Sequence, residues 1–134
     1  MEEHFPKELA ALDEIFRFLE RFFLAHAVDG TPAYALTLAV EELFTNIVKY
    51  GRSRTGSVII GAVCEPERVT VRIVDPDSDH FDPTQNRSGP DDRPLEEKRI
   101  GGLGIHLTRQ MLDDVRYEYS GTTGTIILVK NLER

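Results

Sequence analysis

The stretch Glu41-Glu42-Leu43-Phe44-Thr45-Asn46-Ile47-Val48-Lys49-Tyr50 decides how the rest of the chain is read. Leu36 and Val40 lead into Leu43 and Ile47, so apolar side chains recur at the steps of one helix face. A neighbouring stripe is polar: Asn46 follows Glu42 by four residues and Lys49 follows Asn46 by three. That spacing stacks a carboxylate, an amide and an ammonium along one edge of the helix. The carboxylate could orient or deprotonate a nucleophile. The amide oxygen could ligate magnesium, a hard cation that prefers oxygen, and the ammonium could meet a phosphate. An ordinary amphipathic helix with a polar flank has the same pattern, and periodicity alone leaves both readings open.

Working outward, Thr31 and Pro32 read as an N-cap and a first helical residue, and Gly51 reads as a stop. The helix is therefore expected from Pro32 to about Tyr50. An earlier helix is expected from about Lys7 to Ala27. Leu9, Leu12, Ile15, Phe16, Leu19, Phe22 and Phe23 give it an apolar face, and Asp29-Gly30 ends it. Downstream, Ser57–Cys64 and Arg68–Val74 are rich in β-branched residues and flank Glu65-Pro66-Glu67, which predicts an antiparallel hairpin.

From Asp75 to about Gly101 the periodicity is lost. Four of the seven prolines fall there, among many aspartates and arginines. So long a stretch inside a compact domain reads either as a functional lid or as a disordered insertion. Order returns with a helix from Leu103 to about Asp114, followed by strands over Val115–Tyr119 and Thr125–Leu132 around Gly121-Thr122-Thr123-Gly124. The order α-α-β-β-lid-α-β-β predicts an α+β fold, a two-layer sandwich with helices on one face of a mainly antiparallel sheet. No internal repeat or linker divides the chain, so one domain over residues 1–134 is expected, with a lid at about 76–101.

Composition narrows the function. A net charge of −7 argues against a nucleic-acid binder, which needs basic surface against phosphates. It leaves a nucleotide ligand open, because that requires only a local site. The single cysteine, Cys64, excludes a disulfide framework and a cysteine-based zinc site within one chain. No apolar run reaches the ~18 residues of a membrane span. The acidic start Met1–Leu12 does not resemble a signal peptide. A soluble protein of the reducing cytoplasm is expected.

Three further features could carry chemistry. Ile100-Gly101-Gly102-Leu103-Gly104-Ile105 joins the lid to a helix, where glycines admit close backbone approach and free N–H groups favour an anion. It reads equally as a hinge. No Gly-Lys-Ser/Thr follows it, so it is not a Walker loop. Asp75 ends an apolar strand and could accept a hydrogen bond from an exocyclic amine, or simply begin a turn before Pro76. Thr125 enters the last strand after Gly124 and could touch a ligand, or be an ordinary β-branched strand residue. His4, His26, His80 and His106 show no zinc spacing.

In this order the pieces resemble the GHKL, or Bergerat-fold, ATPase superfamily over nearly the whole chain. EELFTNIVKY is similar to its N-box, IVDPDSDHFDPT to its G1 box and GGLGIHL to its G2 box. The run GGLGIHLTRQMLDDVRYEYSGTTGTIILVK is especially similar to the anti-sigma-factor serine/threonine kinase branch. The resemblance implies the histidine-kinase-like ATPase fold, with ATP and Mg2+ as cofactors. It implies Glu42 as general base, Asn46 as magnesium ligand and Lys49 as a phosphate neighbour. Asp75 would read the adenine amino group, Gly102, Leu103, Gly104 and Ile105 would form the lid hinge facing the phosphates, and Thr125 would lie near adenine.

The pattern departs where the family places glycine two residues after the G1 aspartate; here that residue is Asp77. Phe81-Asp82-Pro83 restores the pattern one residue late. The short N-terminus puts in doubt a first strand common in the branch. The expected function is an ATP-dependent serine/threonine protein kinase and anti-sigma-type regulator. Its expected partner is a STAS-domain protein of the anti-anti-sigma type, with a sigma factor and a second copy of the chain as further candidates. The alternative is a partner-binding module of the same fold without catalysis. A sensor histidine kinase is disfavoured, because the first helix lacks a convincing phosphoacceptor.

Overall fold

A computed structural model of the chain describes residues 1–51, 56–78, 84 and 108–133. The elements run β1 (Glu2–Pro6), a 3-10 turn (Leu9–Ala11), α1 (Leu12–Ala25), α2 (Gly30–Tyr50), β2 (Ser57–Cys64), β3 (Arg68–Asp75), β4 (Asp114–Ser120) and β5 (Thr123–Asn131). Residues 108–111 form a helical turn before β4. The five strands make one antiparallel sheet in the order β1-β2-β3-β5-β4.

Strand alternation sorts the sheet's two faces. Phe5, Val58, Ile60, Ala62, Val69, Val71, Ile73, Ile126 and Leu128 point to the inner face and are buried. They meet Ile15, Phe18, Leu19, Phe22 and Phe23 of α1, and Ala35, Leu36, Ala39, Val40, Leu43, Phe44 and Ile47 of α2, in one core. The expected α+β two-layer architecture is the one observed, and the sheet is antiparallel throughout.

The N-terminal segment corrects the sequence reading. It holds the strand whose presence was in doubt, and the helix expected from Lys7 begins only at Leu12 after the 3-10 turn. The segment Glu2-Glu3-His4-Phe5-Pro6 is strand all the same, because an edge strand tolerates charge and a terminal proline. Phe5 alone enters the core from it, packing edge-on against Phe18 with ring centroids 5.8 Å apart. Backbone bonds between Met1 and Ala62 extend the pairing.

Two helix boundaries also differ. Asp29, not Thr31, occupies the N-cap of α2, so Pro32 sits inside the first turn. Its missing N–H costs nothing there, since the first four N–H groups of a helix have no intrahelical partner. After α1, Val28 N–H donates to Phe23 O at 2.9 Å and Ala27 N–H to Leu24 O at 3.4 Å. That is a Schellman ending with Ala27 at φ 55°, a position usually given to glycine. The helix expected to reach Asp114 ends earlier, because Asp114 already pairs with Val129 in the sheet.

Candidate functional site

β3 and β5 run side by side, and their register sets Asp75 opposite Gly124 and Ile73 opposite Ile126 on the inner face. α2 crosses this end of the sheet. Ile47, Ile73 and Ile126, with Asp75, Ser78, Tyr117 and Gly124, line a small cavity of about 10 Å3. It has space for about one water. Its walls are apolar, and one carboxylate stands at its edge.

Gly124 is the reason the cavity is so small. A Cβ there would lie 2.7 Å from the Tyr117 hydroxyl and 2.9 Å from Ser78 Oγ. Those two oxygens approach to 3.4 Å over the glycine. Tyr117 and Ser78 thus fill a space that a flat ring could enter only by displacing them. The loop bearing Ser78 is tied to the β4–β5 turn: Ser78 N–H donates to Thr122 O, and the Thr122 hydroxyl donates to Pro76 O at 2.8 Å. The turn itself needs Gly121, whose φ is 65°.

Asp75 is buried and held on several sides. Its Oδ1 accepts the Asp77 N–H at 3.1 Å and lies 2.7 Å from Lys7 Nζ. The same ammonium donates to Asp77 O at 2.9 Å. The Lys7 and Asp75 side chains are only 2% and 10% exposed. The Lys7 and Asp77 contacts to this carboxylate both use Oδ1 rather than Oδ2.

On α2, Asn46 is buried next to Ile47, Glu42 lies one turn earlier, and Lys49 is exposed. Glu42 Oε1 is sealed from solvent and lacks a hydrogen-bond partner among the described residues. Burial pushes this carboxyl up to about 6; neighbouring Glu41 adds to the shift and Lys49 opposes it. A second orphan, the buried Thr108 hydroxyl, sits in the helical turn before β4. Beside it, Arg109 reaches Thr84 O at 2.9 Å.

The structure therefore joins part of the expected site. Ile47 next to Asn46, and Asp75 at the end of β3, converge on one cavity, with Glu42 a turn away on the same helix. Thr125 stands apart from these residues. It pairs with Val74 and Glu118 on the opposite face, because alternation turns its neighbours Gly124 and Ile126 inward. Gly102, Leu103, Gly104 and Ile105, and most of the expected lid, lie outside the described residues. Lys7, Ser78 and Tyr117 were not anticipated. The alternation Val115, Tyr117, Tyr119 could have placed Tyr117 inward; nothing local marks Lys7.

The residues suit a nucleotide with a hydrated cation. With Tyr117 and Ser78 displaced, the isoleucine walls offer apolar contact to a ring, and the Asp75 carboxylate offers an acceptor. Asn46 offers an amide oxygen to a cation that brings its own waters and phosphate oxygens. Among the described residues no group of three or more metal-ligating side chains gathers, and no helix is long and apolar enough to cross a membrane.

Comparison with known proteins agrees with this fold. Residues 5–130 match the histidine kinase-like ATPase domain. A serine-protein kinase RsbW of Oceanobacillus iheyensis is 30% identical over 86 residues, covering 60% of this chain and 54% of that protein. The chain thus spans about half the length of this curated relative. The fold is shared with the crystal structure of the RsbU and RsbW domains of a Mycobacterium tuberculosis protein. That match has a TM-score of 0.70 at 14% identity, over 100% of this chain and 33% of the other. The Acinetobacter baumannii histidine kinase AdeS follows with a TM-score of 0.50 at 13% identity, over 100% and 68%. With the family matched over nearly its whole length, the chain belongs to the histidine kinase-like ATPase domain family.

Proposed function

We propose that the protein is an ATP-dependent serine/threonine protein kinase that also acts as an anti-sigma-type regulator, with a STAS-domain protein as phosphoacceptor. The observation that carries this reading is Glu42 Oε1, a buried carboxylate oxygen with no hydrogen-bond partner among the described residues, one helical turn from a buried amide. A group left in that state costs stability, and the same state prepares it for catalysis. A carboxyl held near 6 is mostly ionised at neutral pH yet basic enough to take a hydroxyl proton.

In this reading Asp75 Oδ2 accepts from the amino group of the base, and the isoleucines hold the ring. Asn46 supplies an amide oxygen to the cation, and Lys49 offers charge to the phosphates. Gly102, Leu103, Gly104 and Ile105 serve as the lid hinge. Mg-ATP, when bound, supplies the transferable phosphoryl group. Glu42 orients the partner's serine or threonine hydroxyl and removes its proton, since such transfers depend chiefly on positioning and charge. One domain over residues 1–134 and a cytoplasmic home belong to the same reading.

The test is phosphate transfer from Mg-ATP to a STAS-domain protein by the purified chain. Transfer lost in Glu42→Ala supports the reading; equal transfer by both proteins, or none by either, refutes it. A second reading, a partner-binding module without catalysis, draws on the closure of the base cavity by Tyr117 and Ser78. Calorimetry decides: tight Mg-ATP binding abolished by Asn46→Ala or Asp75→Asn counts against the module.

A further inference from the structure

Lys7 is hard to account for by stability. Its ammonium and the Asp75 carboxylate form a sealed ion pair, whereas Arg21–Glu3, Arg68–Glu65 and Arg116–Asp114 are exposed on both sides. Burying two charges costs desolvation that their attraction only partly returns, and apolar replacements of such pairs are often neutral or stabilising. The pair therefore calls for a role beyond packing, and its position supplies one. Lys7 follows the end of β1, crosses to the end of β3, and fastens to both Asp75 Oδ1 and Asp77 O. The carboxylate is thereby fixed through Oδ1 at the edge of the isoleucine-walled cavity, with Oδ2 outside these contacts.

We propose that Lys7 is the positioning residue of the base pocket, holding the Asp75 carboxylate by Oδ1 so that Oδ2 is offered as an acceptor in one direction and the pocket selects an aminopurine over an oxopurine. The proposal rests on the nucleotide-binding reading above. Without the ammonium the carboxylate loses the contact that fixes Oδ1 and is free to turn about its side-chain torsions, so no acceptor meets the ligand in one place. Held by Lys7, Asp75 presents its remaining lone pairs in a fixed direction. An amino group satisfies them, and a carbonyl meets them acceptor to acceptor. Lys7 thus acts through Asp75 and need not touch the ligand.

The experiment is calorimetry on the full chain with Mg-ATP and with Mg-ITP, which carries an oxo group in place of the amino group. The wild type is expected to prefer ATP by about 100-fold or more, as sites built to hydrogen-bond one group reject its mismatch. Lys7→Met should cut that ratio by at least about 10-fold, and Lys7→Arg should restore most of it. In an Asp75→Asn background Lys7→Met should change the ratio no further, which closes a double-mutant cycle. Thermal melting identifies a Lys7→Met chain that fails to fold; Lys7→Gln, which keeps a neutral donor, then gives the reading, again with a reduced ratio. Equal weakening of both nucleotides with the ratio preserved means that Lys7 only stabilises the fold, and overturns the proposal alone. A wild type that binds neither nucleotide overturns the nucleotide reading, and this proposal with it.

Discussion

Replacing Glu42 with glutamine should make the protein more stable at neutral pH while lowering the phosphotransfer proposed for it. Glu42 Oε1 is buried without a partner, and the carboxyl is raised from 4.5 to about 6, mainly by burial. The native state thus holds this proton more tightly than the unfolded chain. Wild-type stability from this group is fully present below pH 4.5, falls as pH rises through about 6, and is then absent. At about 1.36 kcal/mol per unit the shift corresponds to about 2 kcal/mol. The group is only half buried, and solvent screening reduces that to about 1 kcal/mol. Glutamine is close to the protonated acid in size and polarity, so the two proteins should match near pH 4. Above pH 7 the variant should be more stable by about 1 kcal/mol, a rise in melting temperature of about 3–5 °C. Urea titrations at several pH values between 4 and 8 measure the difference directly. A variant less stable than wild type at pH 8 would show that the carboxylate has a native partner, and the argument for a poised base would fail.

The transfer reaction itself should show the same group. Its rate should climb with pH through about 6 and level off, and Glu42→Gln should lower it by about 10²–10⁴-fold; a flat profile with an active variant removes Glu42 from the chemistry. Ala27→Gly should stabilise the chain by about 0.5–1 kcal/mol, because relief of the left-handed backbone outweighs the entropy glycine adds to the unfolded state; chemical denaturation tests this, and destabilisation would contradict the α1 ending described. Phe5→Ala should cost about 3–5 kcal/mol as it empties the contact with Phe18. A loss below about 1 kcal/mol would mean that β1 is not docked in solution. Tyr117→Ala should speed nucleotide association in stopped-flow fluorescence, since the base cavity no longer has to be cleared; slower association would assign Tyr117 to holding the ring instead.

The parts legible in the sequence were those written in local periodicity. The α2 stripe from Leu36 to Ile47 predicted its buried face, and the β-branched runs gave β2 and β3 nearly to the residue. β1 was missed because an edge strand pairs on one side only and needs a single inward side chain. Phe5 alone leaves no alternating pattern to read. The ends of α1 and α2 were misplaced for a related reason: Ala27 in the left-handed region and an unbonded Asp29 cap are conformations imposed by the chain around them. Gly124 and Thr125 fall on opposite faces because alternation turns adjacent strand residues apart, so only the register of β5 decides which side of the sheet each serves.

The site divides in the same way, and the division has a physical basis. Glu42 and Asn46 share a helix, so their separation is fixed by its pitch and can be read without the fold. Lys7 and Asp77 are 70 residues apart and meet only because the β1–β2 and β2–β3 pairings bring the end of one edge strand beside the end of a central one. Nothing local to Lys7 requires an acid. Asp75 faces inward because β3 alternates, and that orientation buries a carboxylate whatever stands opposite. Once buried, it needs a partner. The fold supplies one, the Lys7 ammonium, from the segment that sequence periodicity left least defined. The helix carries residues whose spacing is local, whereas the orientation of Asp75 depends on sheet pairing. Disturbing β1 should therefore alter the base selection proposed for Asp75 before it alters the Glu42–Asn46 edge.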